Sequence, residues 1–196
     1  MNEQSHSLRQ FTRAYCTKNT PLAWAHLLGT VVVFVAVLGL ALASWGNVIL
    51  TGFWMFAAGV VGVRLYMLQH EAGHGTLMDK TIMNTRVGVA LSFLTHCPFH
   101  QLKYNHNLHH AHIGDLDERG STEIYTMTVD EFRRANWWDR LRYRVYRNPI
   151  ILFVIGPPIL AFLLYRLPKN WRDSGPWSLA IHNIGLLVMY GTILLL

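Results

Sequence analysis

The chain has 196 residues, is 52% hydrophobic and only 14% charged, and carries a formal net charge of +6 with its histidines counted neutral. A soluble domain has about 25% charged residues, so the deficit makes lipid part of the solvent, and the positive excess marks a cytoplasmic membrane face rather than a nucleic-acid surface. The cysteines, Cys16 and Cys97, are too few for a disulfide framework and read as reduced structural thiols.

The tail, residues 1–20, carries Arg9, Arg13 and Lys18 and no cleavable signal. A bilayer core takes about 20 consecutive apolar residues as a helix. Leu22 to Ala43 meets that length, interrupted only by His26, and Val48 to Leu68 meets it again with one charge, Arg64. The break between them, Ser44-Trp45-Gly46-Asn47, is short, so the two spans are predicted to form an antiparallel hairpin. Arg64 lies near the end of its run, where a guanidinium snorkels to the headgroups.

Residues 69–148 are the polar, arginine-rich half. The positive-inside rule puts both this half and the tail in the cytoplasm, consistent with two crossings. Val87 to Phe99 is too short to span and is predicted as an interfacial or re-entrant helix. Phe132 to Arg147 mixes Trp137, Trp138, Tyr143 and Tyr146 with arginines, as in a helix lying at the headgroups. Residues 150–166 are apolar but contain Gly156-Pro157-Pro158, which breaks a regular helix; a kinked span and a shallow hairpin both remain open. Residues 178–196 form a further apolar run. The chain stops inside it, which reads as an interrupted span. The predicted class is therefore an all-α, multi-pass integral membrane protein: a transmembrane hairpin, cytoplasmic or interfacial helices, then further hydrophobic helices.

The histidines are grouped. His70 and His74 are four apart, and His106, His109 and His110 follow the pattern HxxHH. Helix positions three and four apart share a face, so each group can converge. Imidazole suits iron, zinc and copper. Five imidazoles exceed the four-coordinate shell of one structural zinc, which points to two metals. Gly73 and Gly75 would let a backbone or substrate approach. His6, His26, His96 and His182 lack the paired spacing and are read as structural; His100 and His112 are assigned supporting or surface roles. Residues 70–74 also spell HExxH, the zinc metalloprotease motif, in which His70 and His74 would bind zinc and Glu71 would be the base. That motif has no use for HxxHH.

At these residues the chain resembles the membrane fatty acid desaturases, especially the Δ12/ω6-type branch. That family carries a first box H(D/E)xGH, matched by His70 to His74, and a second box HxxHH, matched by His106 to His110. Pro98-Phe99, the turn His112 to Gly120 with Asp115, and the stretch Glu123 to Pro149 are also similar. The resemblance covers most of the chain, from about Val48 onward. Ala72 stands where many relatives have Cys.

The resemblance implies two non-haem irons held by His70, His74, His106, His109 and His110, with no catalytic side chain beyond the ligands. Glu71 and Asp115, and less directly His100 and His112, would support the imidazoles from behind. It implies O2 as co-substrate and a fatty acyl chain that gains a cis double bond. Electrons would come from a ferredoxin or cytochrome b5-like carrier, for which the basic face Arg133 to Arg147 offers a dock. No nucleic acid is involved. The setting implied is the bilayer, as a bacterial inner membrane protein. A third HxxHH box, which the family places after two further spans, is absent, so the chain is expected to be inactive alone. Besides the protease, a different His-box oxidase acting on lipids, alkanes or carotenoids and a non-catalytic membrane protein are the alternatives.

Overall fold

The computed structural model describes residues 11–12, 17–117, 119, 124–167 and 173–195. His6, Arg9, Arg13, Cys16, Gly120 and Glu123, named above, lie outside the described residues. Among the described residues the regular structure is helical, with no strand. Three helices among the described residues are long and apolar enough to cross a membrane: 20–43, 48–74 and 177–195. This is an all-α membrane protein, and it divides into two compact units, residues 1–94 and 95–196.

The first unit is built on a hairpin. Helix α1 (Thr20–Ala43) starts at Asn19, whose side chain accepts the Leu22 N–H at 3.0 Å. Pro21 sits in the first turn, where its missing N–H costs nothing. Ser44 ends the helix, with its hydroxyl on the Leu40 carbonyl at 2.8 Å. Asn47 then caps α2 (Val48–His74) by accepting the Leu50 N–H, and Thr51 donates to the Ser44 carbonyl at 2.7 Å. Ala23, Ala41 and Ala58 are buried with Leu27 and Leu65. Outward residues such as Leu42 and Ile49 are exposed and equally apolar, a pattern suited to lipid on the outside. The apolar run ends near Leu68, but the helix does not; it continues unbroken through the first histidine pair.

Helix α3 (Thr81–Thr95) begins before the semi-apolar stretch that announced it. Asn84, Val87, Gly88 and Leu91 lie on one helical face and are buried. Val87 and Leu91 join Ala23, Leu27, Leu65 and Met78 in one core.

The second unit opens with α4 (Phe99–His112), then α5 (Val129–Arg134) and α6 (Trp137–Tyr146). Tyr143 and Tyr146 accept the Met127 and Tyr125 N–H groups through their hydroxyls, tying the preceding loop to α6. Trp137 and Trp138 are stacked at 4.1 Å and exposed. Arg140 is turned inward, donating to the carbonyls of Arg133 and Ala135. The segment after it is neither a straight span nor a simple hairpin. It makes a π-helical turn (Ile151–Ile155), helix α7 (Gly156–Phe162) and a 3-10 turn (Leu164–Arg166), bent by 57° from α6. Pro157 and Pro158 donate no backbone hydrogen bond, and the Gly156 N–H reaches back to the Ile151 carbonyl. A Cβ at Gly156 would meet that oxygen at 2.9 Å, so the wide turn requires glycine here. Helix α8 (Pro176–Leu195) follows. Arg166 links Asn183 of α8 at 2.9 Å to the His96 carbonyl ahead of α4. Cys97 is buried, and burial pushes its thiol up to about 12, as befits an unreactive packing residue.

Candidate metal centre

The first box occupies the C-terminal end of α2. His70 and His74 lie one turn apart, with ring centroids 4.6 Å apart and planes at 79°. One ring nitrogen from each can be chosen within 4.8 Å of the other. The helix stops at once. Gly75 takes a left-handed conformation at φ 74, which L side chains disfavour, and donates to the Ala72 carbonyl. Thr76 closes the turn onto the Glu71 carbonyl. The loop beyond is held by Asn84, which is 2% exposed. Its side-chain oxygen accepts the Met78 N–H at 2.9 Å, and its amide donates to the Met78 carbonyl at 2.8 Å. Lys18 donates to the Gly75 carbonyl at 2.7 Å, and Thr20 bonds Asp79. The end of the box is thus fixed from three sides. Glu71 is exposed; one carboxylate oxygen stands 3.6 Å from His70 Nδ1 and the other accepts the Thr76 hydroxyl at 2.7 Å.

The second box lies on the last turns of α4. Phe99, Gln101 and Leu102 are the buried residues of this helix. His106, His109 and His110 form a continuous imidazole patch, with centroid distances of 4.4 Å from His106 to His110, 5.8 Å from His106 to His109 and 5.7 Å from His109 to His110. His106 Nε2 and His110 Nε2 are 2.9 Å apart, so one ring carries a hydrogen there and the other accepts it. Two lone pairs aimed at one point suit a shared cation equally well. His100 is exposed in the first turn, against Phe99. His112 is the last residue of the helix, and its carbonyl accepts the Asp115 N–H. Asp115 accepts the Asp117 N–H at 2.9 Å and so holds the turn after the box.

Motif reading missed a second fastening. Arg119 grips Glu131 through two nitrogens, each 3.0 Å from a carboxylate oxygen. Glu131 also forms a capping box with Thr128 at the start of α5. The Arg119 guanidinium, with the Thr128 bonds, holds the Glu131 carboxyl down at about 2. Thr128 three residues before Glu131 was the available signal for the cap. Nothing local identified its arginine.

Residues 44–196 match the family model described as Fatty acid desaturase. The chain belongs to the fatty acid desaturase family. It is 33% identical over 177 residues to a fatty acid desaturase of Bacillus subtilis (strain 168), covering 87% of this chain and 50% of the relative. It is 24% identical over 173 residues to an acyl-lipid omega-3 desaturase (cytochrome b5), endoplasmic reticulum, of Arabidopsis thaliana, covering 84% of this chain and 41% of the relative. It is 31% identical over 102 residues to an sn-1 oleoyl-lipid 12-desaturase of Anabaena variabilis, covering 52% of this chain and 28% of the relative. The chain therefore spans half or less of these curated relatives. No solved structure matches it.

Membership in the desaturase family accounts for both histidine boxes, whereas a zinc protease uses only the first; the protease reading is not favoured. The donor set also fits iron. Imidazole nitrogen is a good ligand for it, and within each helix the rings face one another.

Proposed function

We propose that this protein takes part in O2-dependent desaturation of fatty acyl chains, with His70, His74, His106, His109 and His110 meeting as ligands of a di-iron centre. The observation that carries the reading is the clustering of imidazoles on one face of each box helix, in a chain of this family. Five histidines supply part of a two-iron shell, and the remaining ligands would come from outside these two boxes. When bound, the irons would supply the oxidation: O2, two electrons and two protons are consumed as two hydrogens leave neighbouring methylenes and two waters form.

The chain's own residues do the rest. Gly75 and the Asn84 clasp end α2 where lipid gives way to water, so the first box sits at the bilayer surface. The Glu71 carboxylate orients the His70 ring from its Nδ1 side, and Asp115 keeps the turn behind the second box in shape. The tail and both boxes face the cytoplasm of a bacterial inner membrane, by the positive-inside rule. A ferredoxin or cytochrome b5-like donor would dock by charge on Arg133, Arg134, Arg142, Arg144 and Arg147, which are exposed; Arg140 is occupied internally. The relatives' names cite different double-bond positions and a cytochrome b5 donor, and these support acyl-lipid desaturation as a class.

The test is the complete reading frame expressed with an electron donor. Iron near two per chain and a new cis double bond in membrane acyl chains, read by gas chromatography, are expected. His106→Ala should lower product by at least about a hundredfold and lower bound iron. Zinc near one per chain, with all activity lost in Glu71→Gln, would overturn the proposal in favour of proteolysis.

A further inference from the structure

Arg64 is the one charged residue inside the apolar part of the hairpin, and its position is organised. Its Nε–H donates to Thr30 Oγ1 at 3.1 Å, and an Nη2 hydrogen reaches His26 Nδ1 at 3.2 Å. Thr30 is buried and donates its own hydrogen to the His26 carbonyl at 2.6 Å, which leaves its lone pair for Arg64. An Nδ1 that accepts from arginine must be unprotonated, so the neutral His26 ring carries its hydrogen on Nε2. Arg64 and His26 are both exposed on the outside of the helix pair. A guanidinium has five donors in a rigid fork; both Nη1 hydrogens and one on Nη2 remain for a ligand.

No acid among described residues 17–94 is paired with this charge. The acids among described residues 17–94 are Glu71 and Asp79, and these are engaged with Thr76 and His70, and with Thr20. The depth is also informative. Arg64 lies about 15 Å along α2 from His74, and His26 about 9 Å along α1 from Thr20, at 1.5 Å per residue. A long side chain from that depth reaches the headgroup layer. An arginine fork matches phosphate bidentately.

We propose that Arg64, with His26 beside it, is a binding site for the phosphate of an anionic phospholipid in the leaflet that borders the first histidine box. Thr30 sets the fork's orientation from the protein side, and the His26 Nε2–H adds a donor outside. The ligand is lipid rather than dissolved anion, because the fork opens on the apolar outer face of the hairpin.

The experiment titrates the full chain in detergent with phosphatidylglycerol and counts bound lipid by native mass spectrometry. Phosphatidylcholine and inorganic phosphate form separate arms. Phosphatidylglycerol should bind the unmodified protein about tenfold more tightly than Arg64→Gln, a difference of about 1.4 kcal/mol. His26→Gln should weaken it less, Arg64→Lys should fall between, and phosphatidylcholine should bind weakly to all forms. Helix content by circular dichroism checks that each variant folds. Should Arg64→Gln fail that check, nitrogen-15-labelled arginine in the unmodified protein reports directly: a side-chain resonance that moves with added phosphatidylglycerol supports the site. Equal binding by Arg64→Gln, an unmoved arginine resonance, or displacement of the lipid by millimolar inorganic phosphate would each overturn the proposal.

Discussion

The two histidine boxes stand on helices of different kinds. Helix α2 has 27 residues, a side-chain cap at Asn47 and a left-handed stop at Gly75. Its run from Val48 to Leu68 is apolar apart from Arg64, so the span sets its direction, and the helix carries on from there to hold His70 and His74 before Gly75 stops it. Helix α4 has 14 residues and starts at Pro98 with no side-chain cap. Isolated helices of that length are marginal in water. Its last turn holds His109, His110 and His112 near the negative end of the helix dipole, which favours a bound cation there. One box is placed by lipid; the other depends more on what binds it.

Removing the metal is the strongest way to break this contrast. If the proposed irons are bound, chelation should lower amide protection across His106 to His112 by about a hundredfold or more, while amides of α2 up to Leu68 change little. Hydrogen exchange read by mass spectrometry checks it. Equal loss in both helices would mean that the first box also relies on its metal for order. The next effect in size concerns the clasp behind that box. Asn84→Ala strands the Met78 N–H and carbonyl in a buried place, which should cost about 1–3 kcal/mol; a thermal melt in detergent measures it. Gly75→Ala should cost about 1–2 kcal/mol by forcing a Cβ into the left-handed region. A cost below that for Asn84→Ala, with His74 contacts disturbed, is the expected pattern.

These positions also show what the sequence made legible. The all-α membrane class followed from run length and low charge, because lipid imposes both. Each box could be assigned a shared helical face because spacing of three and four is local information. The continuation of α2 past Leu68 was not visible from hydropathy. Apolar character marks where lipid is, and polar residues such as Gln69 and His70 extend a helix as readily. The early start of α3 was hidden for a different reason. Thr81, Asn84, Thr85 and Arg86 interrupt the apolar pattern, and the helix start is held by Asn84 bonding back to Met78, a loop contact with no periodic signature. For residues 150–166, Gly156-Pro157-Pro158 announced a break but not its form; the π turn depends on the Gly156 N–H finding the Ile151 carbonyl. The basic stretch around α6 was read as a uniform face, yet Arg140 turns to backbone carbonyls released between two short helices. Composition does not say which of several arginines will fill that role.

The smallest effect sharpens the comparison at the far end of the second unit, where the chain after α4 is fastened by Arg119 and Glu131. The Glu131 carboxyl is depressed to about 2 from an ordinary 4.5. A depressed carboxyl adds stability that is fully present above its unfolded value and is lost as pH falls through the folded one. The window is therefore pH 4.5 down to 2, with no change at neutral pH. A carbon-13 titration of the Glu131 carboxyl should show a midpoint near 2. In Arg119→Gln the midpoint should rise toward 4.5, but not fully, because Thr128 still donates through its N–H at 2.6 Å. A midpoint unmoved by Arg119→Gln would assign the depression to the helix cap alone. The loop after the second box would then lack its anchor to α5, and the order of α4 would rest on the histidines and their metal even more than the contrast with α2 requires.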